Sequence, residues 1–147
     1  MNSIDIKSCA EYFQDNYLKT FYLVITYNGK SFILIGEKTN FPHLMGISKK
    51  TYKSNGYSNS KHLFNDILRG NPVHNAIIPN KISPTSKMYQ KVVNFTKSTD
   101  IFWQNSGPIT VNYNPDLSGT KLNNVDVLLT DVCSGYMLGW VSNVNGR

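Results

Sequence analysis

Cysteine, alanine and arginine are scarce in this sequence, and long apolar runs are missing. Its two cysteines, Cys9 and Cys133, are too few for a disulfide framework or for a zinc site of their own. The two alanines, Ala10 and Ala76, stand beside abundant asparagine, a bias that translates into no mechanism. Arg69 and Arg147 are the only arginines, so bidentate reading of guanine is not the obvious use of its positive charge. The longest apolar runs are as short as FILIG at 32–36 and VLL at 127–129, whereas a membrane span needs ~20 apolar residues. The first residues, MNSIDIKSCAEYFQDNY, carry acids and no apolar core, which speaks against a secretory signal peptide.

Several chemistries lack their residues as well. His43, His62 and His74 fall in three separate segments, with no HxxxH or CxxC spacing to bring two metal ligands onto one face. A Gly-rich phosphate loop and a GxSxG elbow are absent. Closely spaced carboxylate pairs are absent too, which argues against a two-metal nuclease or a glycosidase. The expectation is a protein with no metal and no cofactor. A cysteine nucleophile with a histidine partner is formally open. Cys9, however, lies on an apolar stripe and Cys133 beside a strand, where a buried thiol is the plainer reading.

What is present is a globular composition, 40% hydrophobic, 12% aromatic and 16% charged, over 147 residues. That suits one domain, residues 1–147, of a small basic protein expected in the cytoplasm. The charge is unevenly placed. Between Lys38 and Lys97 lie ten cations and one acid, Asp66, while the remainder holds five cations and eight acids. Such asymmetry points to an anionic partner, with sequence-indifferent phosphate contact as its simplest form; the alternative is an ordinary solvated Lys-rich face. Tyr52, Tyr57, Phe64, Tyr89 and Phe95 fall in the same window; they could stack on bases or fill the core.

Along the chain, Ile6, Cys9, Ala10, Phe13 and Tyr17 recur at helical spacing over 4–18. TFYLVITY (20–27) and KSFILIGE (30–37) flank Asn28-Gly29, a strong hairpin signal. Residues 38–57, with Pro42, Gly46 and Gly56, read as an irregular loop, and 70–83 as another. Ser58 or Asn59 can cap a helix through Leu68, with Gly70 beyond its end. Ser83-Pro84 reads as the cap and first residue of a further helix, with Met88, Val92 and Phe95 inward and Lys87, Lys91 and Lys97 elsewhere. Strands follow at 109–114, 125–132 and 135–141. The order predicts an α+β fold, an antiparallel sheet of about four to five strands with helices packed on one face.

A basic protein with isolated histidines suits a metal-independent ribonuclease. RNA brings its own nucleophile, the 2′-hydroxyl, so the protein needs only groups that move protons and cations or donors for the charge on phosphorus. A histidine titrating near neutrality can be the base or the acid. His43, His62 and His74 are equally eligible by residue type; the surface position of His62 beside Lys61 and the loop position of His74 make them the weaker choices.

Asn40-Phe41-Pro42-His43-Leu44-Met45-Gly46-Ile47 resembles the N-F-x-H-L-x-G-I motif of the phage-associated barnase, EndoU, colicin and RelE-like nucleases, in their fourth subtype. The setting is similar as well: a hairpin before the motif, a Lys-rich loop and helices after it, and a closing antiparallel sheet. By that resemblance His43 is the active-site histidine. Residues 81–95, K-I-S-P-T-S-K-M-Y-Q-K-V-V-N-F, look like the family's later Ser-then-basic helix, which nominates Ser86 and Lys91 for the catalytic set, with Lys87 nearby. In the family the chain runs on past the third closing strand to a Thr or Ser that joins the site. Here the sequence ends at Asn145-Gly146-Arg147, so either this is a truncated or divergent member or Thr130, or another strand hydroxyl, takes that place. The resemblance implies an endoribonuclease, a toxin or phage-related effector, using His43 for proton transfer and Lys49, Lys50 and Lys87 to hold phosphates. An antitoxin or inhibitor is the partner it implies beside RNA. The alternative is a non-catalytic RNA- or protein-binding module on the same scaffold, an inhibitor, antitoxin-like or phage host-takeover protein.

Overall fold

The structure, a computed structural model, describes residues 4–25, 29, 31–98, 109–113, 127–131 and 137–140, the last three ranges and residues 24, 25 and 32 by their backbone. It forms two compact units, Met1–Val24 with Phe32–Lys97, and Ile25–Ser31 with Ser98–Arg147.

The first unit is built around α1 (Ile6–Phe13). Asp5 starts it by accepting the Ser8 amide at 3.0 Å, and the Ser8 hydroxyl first, then that amide, hold the Asp5 carboxyl below its usual range. The predicted stripe is the buried face: Ile6, Cys9, Ala10, Phe13 and Tyr17 are all inside. The last turns widen into a π-helix, Gln14–Leu18. Strands β1 (Tyr22–Ile25) and β2 (Ser31–Leu34) form a two-stranded sheet around the Asn-Gly signal. Alternation sends Tyr22 and Leu34 inward and leaves Phe21, Leu23, Ile33 and Ile35 exposed.

Residues 38–57 are not the irregular loop their Pro, Gly and Lys content suggests. A 3-10 turn, Lys38–Asn40, runs into α2 (Phe41–Leu44), and α3 (Lys49–Ser54) follows, with Ser48 accepting the Thr51 amide at 3.1 Å as its cap. Next comes α4 (Ser60–Arg69), capped by Asn59 and ended by Gly70 at φ 78°, as the sequence predicts. The final helix of this unit, α5 (Lys87–Phe95), begins three residues later than Ser83-Pro84 implies. Ser83 is spent on a local turn, its hydroxyl 2.9 Å from that of Thr85, and Ser86 is the cap instead.

Aromatic rings close the core. Phe13 meets Phe41 and Phe64 at centroid distances of 5.5 and 5.8 Å, and Phe41 meets Phe64 edge-on at 5.0 Å. Phe95 joins from α5, and Cys9 donates its thiol to the Val92 carbonyl at 3.3 Å, tying α1 to α5. Burial pushes the Cys9 thiol up to about 11, so it is a structural group and no nucleophile. Of the window's aromatics, Tyr52, Phe64 and Phe95 are core, while Tyr57 and Tyr89 are half-buried. Cys133 lies outside the described residues.

In the second unit β3 (Ile109–Tyr113), β4 (Val127–Asp131) and β5 (Met137–Trp140) form an antiparallel sheet in the order β3-β4-β5. Thr130 pairs with Thr110 on one side and Met137 on the other. The α+β class therefore holds. The described strands stand as a two-stranded and a three-stranded sheet, where the sequence led to one sheet of about four to five. Among the described residues no helix is long and apolar enough to cross a membrane.

Candidate active site

The segment Asn40–Ile47 can be taken apart residue by residue. The Asn40 side chain accepts the Glu37 amide at 2.8 Å, fixing the entry to α2. Phe41, Pro42, Met45 and Ile47 are buried. The Ile47 amide returns to the Pro42 carbonyl at 2.8 Å and the Gly46 amide to that of His43 at 3.0 Å, so the chain turns back sharply after α2. Gly46 sits at φ 80°, where a side chain would be strained, and a Cβ there would lie 3.3 Å from Met88 Cα. Glycine is needed twice over: for the turn, and for the close approach of α5.

His43 is the exception. Its side chain is exposed, and among the described residues no hydrogen bond, ion pair or ring contact engages its imidazole. Its backbone is held instead. Lys91, reaching over from α5, donates its ammonium to the His43 carbonyl at 3.3 Å, beside the Gly46 amide. That carbonyl ends a short helix and is electron-rich, a natural place for a cation. The Lys91 side chain is largely exposed, yet desolvation around its ammonium, then the charge of Lys87 one turn back, holds its proton less tightly than an ordinary lysine does.

Ser86 accepts the Tyr89 amide at 3.1 Å and so caps α5; its own hydroxyl proton remains to donate. The approach to it is fixed by Gln90, which donates to the Pro84 carbonyl at 2.6 Å. Lys87 is the first residue of α5 and exposed. The structure thus joins the motif segment to the N-terminal half of α5 through His43 with Lys91 and Gly46 with Met88. Nothing in the sequence marks Met88 for that contact. Lys49 and Lys50 form the exposed first turn of α3. Thr130 lies in β4, in the other unit.

The other histidines have different settings. His74 accepts the Ala76 amide on Nδ1 at 3.0 Å, a local turn bond that occupies one ring nitrogen. His62 is exposed on α4. Among the described residues no three His, Cys, Asp or Glu side chains gather as a metal centre requires.

An exposed imidazole on a rigid turn, pinned by a lysine, can exchange a proton with a bound molecule while cations nearby meet negative charge. A family model described as phage-Barnase-EndoU-ColicinE5/D-RelE like nuclease4 matches residues 5–138. No curated protein and no solved structure matches the chain.

Proposed function

The chain belongs to the phage-Barnase-EndoU-ColicinE5/D-RelE like nuclease family, the fourth of that series, and on that footing we propose that it is a metal-independent endoribonuclease, a toxin or phage-related effector. The observation that carries the proposal is His43: Asn40, Phe41, Pro42, Met45, Gly46 and Ile47 pack inside or shape the turn, whereas the imidazole is exposed, on a turn that Lys91 holds.

In this reading the 2′-oxygen of a ribose attacks the adjacent phosphorus, the new 2′-O–P bond forms, and the P–5′-O bond breaks. A proton leaves the 2′-hydroxyl and another reaches the departing 5′-oxygen; His43 carries one of them as base or acid. Lys91 and Lys87 meet the charge that builds on the phosphorane oxygens, and Ser86 donates its hydroxyl to one of them. Lys49 and Lys50 hold neighbouring phosphates of the RNA. The product is a 2′,3′-cyclic phosphate.

The test is to incubate the protein with total RNA and with tRNA in excess EDTA and to analyse the new ends. Cyclic phosphate ends that persist under EDTA and vanish with His43→Ala support the mechanism. Cleavage lost on chelation, or unchanged in His43→Ala, removes it, and salt-sensitive binding without turnover leaves the non-catalytic module. A growth defect on expression, relieved by His43→Ala, is the mark of a toxin, for which an antitoxin or inhibitor is the natural partner.

A further inference from the structure

A cleft of about 530 Å³ opens beside α4, lined by Gly56, Tyr57, His62, Asn65, Asp66 and Arg69. Four of these, His62, Asn65, Asp66 and Arg69, follow the three- and four-residue steps of one helical face, the face opposite to buried Leu63, Phe64 and Ile67. Gly56 and Tyr57, from the turn after α3, supply the other wall. This face has no part in the site around His43.

Its hydrogen-bonding inventory is one-sided. Asp66 is the single acid: Tyr57 donates its hydroxyl to one oxygen at 2.6 Å and Asn71 its amide to the other at 3.1 Å, and its charge also acts on Arg69 and His62. Asn65 accepts on Oδ1 from the Lys38 ammonium at 3.3 Å, which leaves the Asn65 amide protons to donate and brings a further cation to the rim. Among the described residues neither the Arg69 guanidinium nor the His62 imidazole has a hydrogen bond or ion pair. Against that one carboxylate, the groups offered to a visitor are mostly donors: Arg69, Lys38, His62 and the Asn65 amide. Neutral sugars or cations would find few acceptors there. An oxyanion with several acceptor oxygens would find partners for most of them.

We propose that this cleft is a second phosphate-binding site, which takes a backbone phosphate of the RNA strand away from the link that is cut. The identity of the strand rests on the ribonuclease reading; the anion site itself rests on the cleft. The helix links the two places mechanically, because α4 packs against both the Lys38–Asn40 turn and α2, which carries His43. A strand held at both would be fixed in register without any base being read.

The experiment measures binding of a 2′-O-methyl RNA, which cannot be cut, as a function of salt. Arg69→Gln and Lys38→Gln are each expected to weaken binding about tenfold at low salt and to reduce the slope of log K against log salt by ~0.7 per charge on a single strand. Asp66→Asn, which removes the one negative charge of the cleft, is expected to tighten binding. Lys61→Gln, on the same helix but outside the cleft, is the control for net charge. Unchanged affinity and slope in both Arg69→Gln and Lys38→Gln, no RNA binding at all, or an equal loss in Lys61→Gln overturns the proposal. Because this RNA cannot be cleaved, failure of the wild-type protein to cut ordinary RNA bears on the ribonuclease reading alone, and the shifts in binding still decide the cleft.

Discussion

Lys91 donates its ammonium to the main-chain carbonyl of His43, 3.3 Å away, so a side chain of α5 holds the turn that presents the imidazole. The bond joins residues 48 positions apart. It also brings a cation close to the histidine without spending the histidine's own ring on a structural contact.

Replacing that lysine weighs more on activity than on stability. Desolvation and then Lys87 lower the proton affinity of Lys91 in the folded chain below its ordinary 10.5, so the unfolded chain binds more protons between the lowered value and 10.5. Stability therefore rises with pH across that window, and below it the buried part of the charge is a cost. Lys91→Met removes the bond to the His43 carbonyl and is expected to cost only about 1 kcal/mol, while cleavage falls about 10²–10³-fold, the range for losing one donor to a developing oxyanion. In the wild type, activity that needs the ammonium is lost on an alkaline limb below the ordinary lysine range. Lys87→Gln removes the second of the two causes and moves that limb upward in a pH–rate profile.

Gly46 and Gly56 make a matched pair of substitutions. Both have positive φ, 80° and 102°, but a Cβ at Gly46 meets the Met88 backbone at 3.3 Å and Lys91 Cδ at 3.5 Å, while at Gly56 nothing lies within 4 Å. Alanine at either position carries backbone strain of about 1–3 kcal/mol. Only at Gly46 must α5 also move. Urea denaturation is expected to show Gly46→Ala as the more destabilised of the two. Its residual folded protein is also expected to cleave more slowly, since the shift would stretch the bond from Lys91 to the His43 turn.

These two positions show where the sequence was legible and where it was not. Periodicity locates α1, and Ser58 or Asn59 with Gly70 brackets α4, because caps and apolar stripes are local signals; the structure uses Asn59. The hairpin and the three later strands were equally plain from β-branched runs and turns. Residues 38–57 misled because Pro42 and Gly46 punctuate helices only four and six residues long, too short for a stripe to develop. Ser48, the cap of α3, was the cue available there. The histidine itself stood out through the motif around it. Its tie to Lys91 is a contact between distant segments, with no periodic trace. Asp66 reads as one acid in a basic window because its hydrogen-bonding partners, Tyr57 and Asn71, lie on loops at either end of α4.

Those partners give a further prediction. Hydrogen bonds from Tyr57 first and Asn71 second hold the Asp66 carboxyl below 3.8. Its contribution to stability is present above the ordinary carboxylate value and is lost as pH falls through the lowered one. Tyr57 runs the other way. Burial first, then its bond to Asp66, pushes its hydroxyl up to about 12 from 10.0, so its contribution is full below 10 and is lost as pH rises towards 12. Tyr57→Phe is expected to cost about 1 kcal/mol at neutral pH. An NMR titration of Asp66 in that variant should move back towards 3.8; an unmoved titration would show that the phenol contributes nothing to holding the charge.

Ser86 is a cap by geometry and a phosphate donor by proposal, and two substitutions tell these apart. Ser86→Ala loses the acceptor for the Tyr89 amide, 3.1 Å away, and is expected to cost about 1 kcal/mol. Any fall in cleavage in that variant is therefore ambiguous, because α5 also carries Lys87 and Lys91. Ser86→Asp keeps an acceptor at the same helix end and adds a negative charge there, which stabilises a helix N-terminus by about 0.3–1 kcal/mol. It cannot donate, and its charge opposes an incoming phosphate. The expected result is a Tm at or above the wild type together with at least a tenfold loss of cleavage. If Ser86→Asp cuts RNA at the wild-type rate, the serine serves α5 alone, and the donor to the phosphorane must come from elsewhere, with Lys87 the first alternative to test.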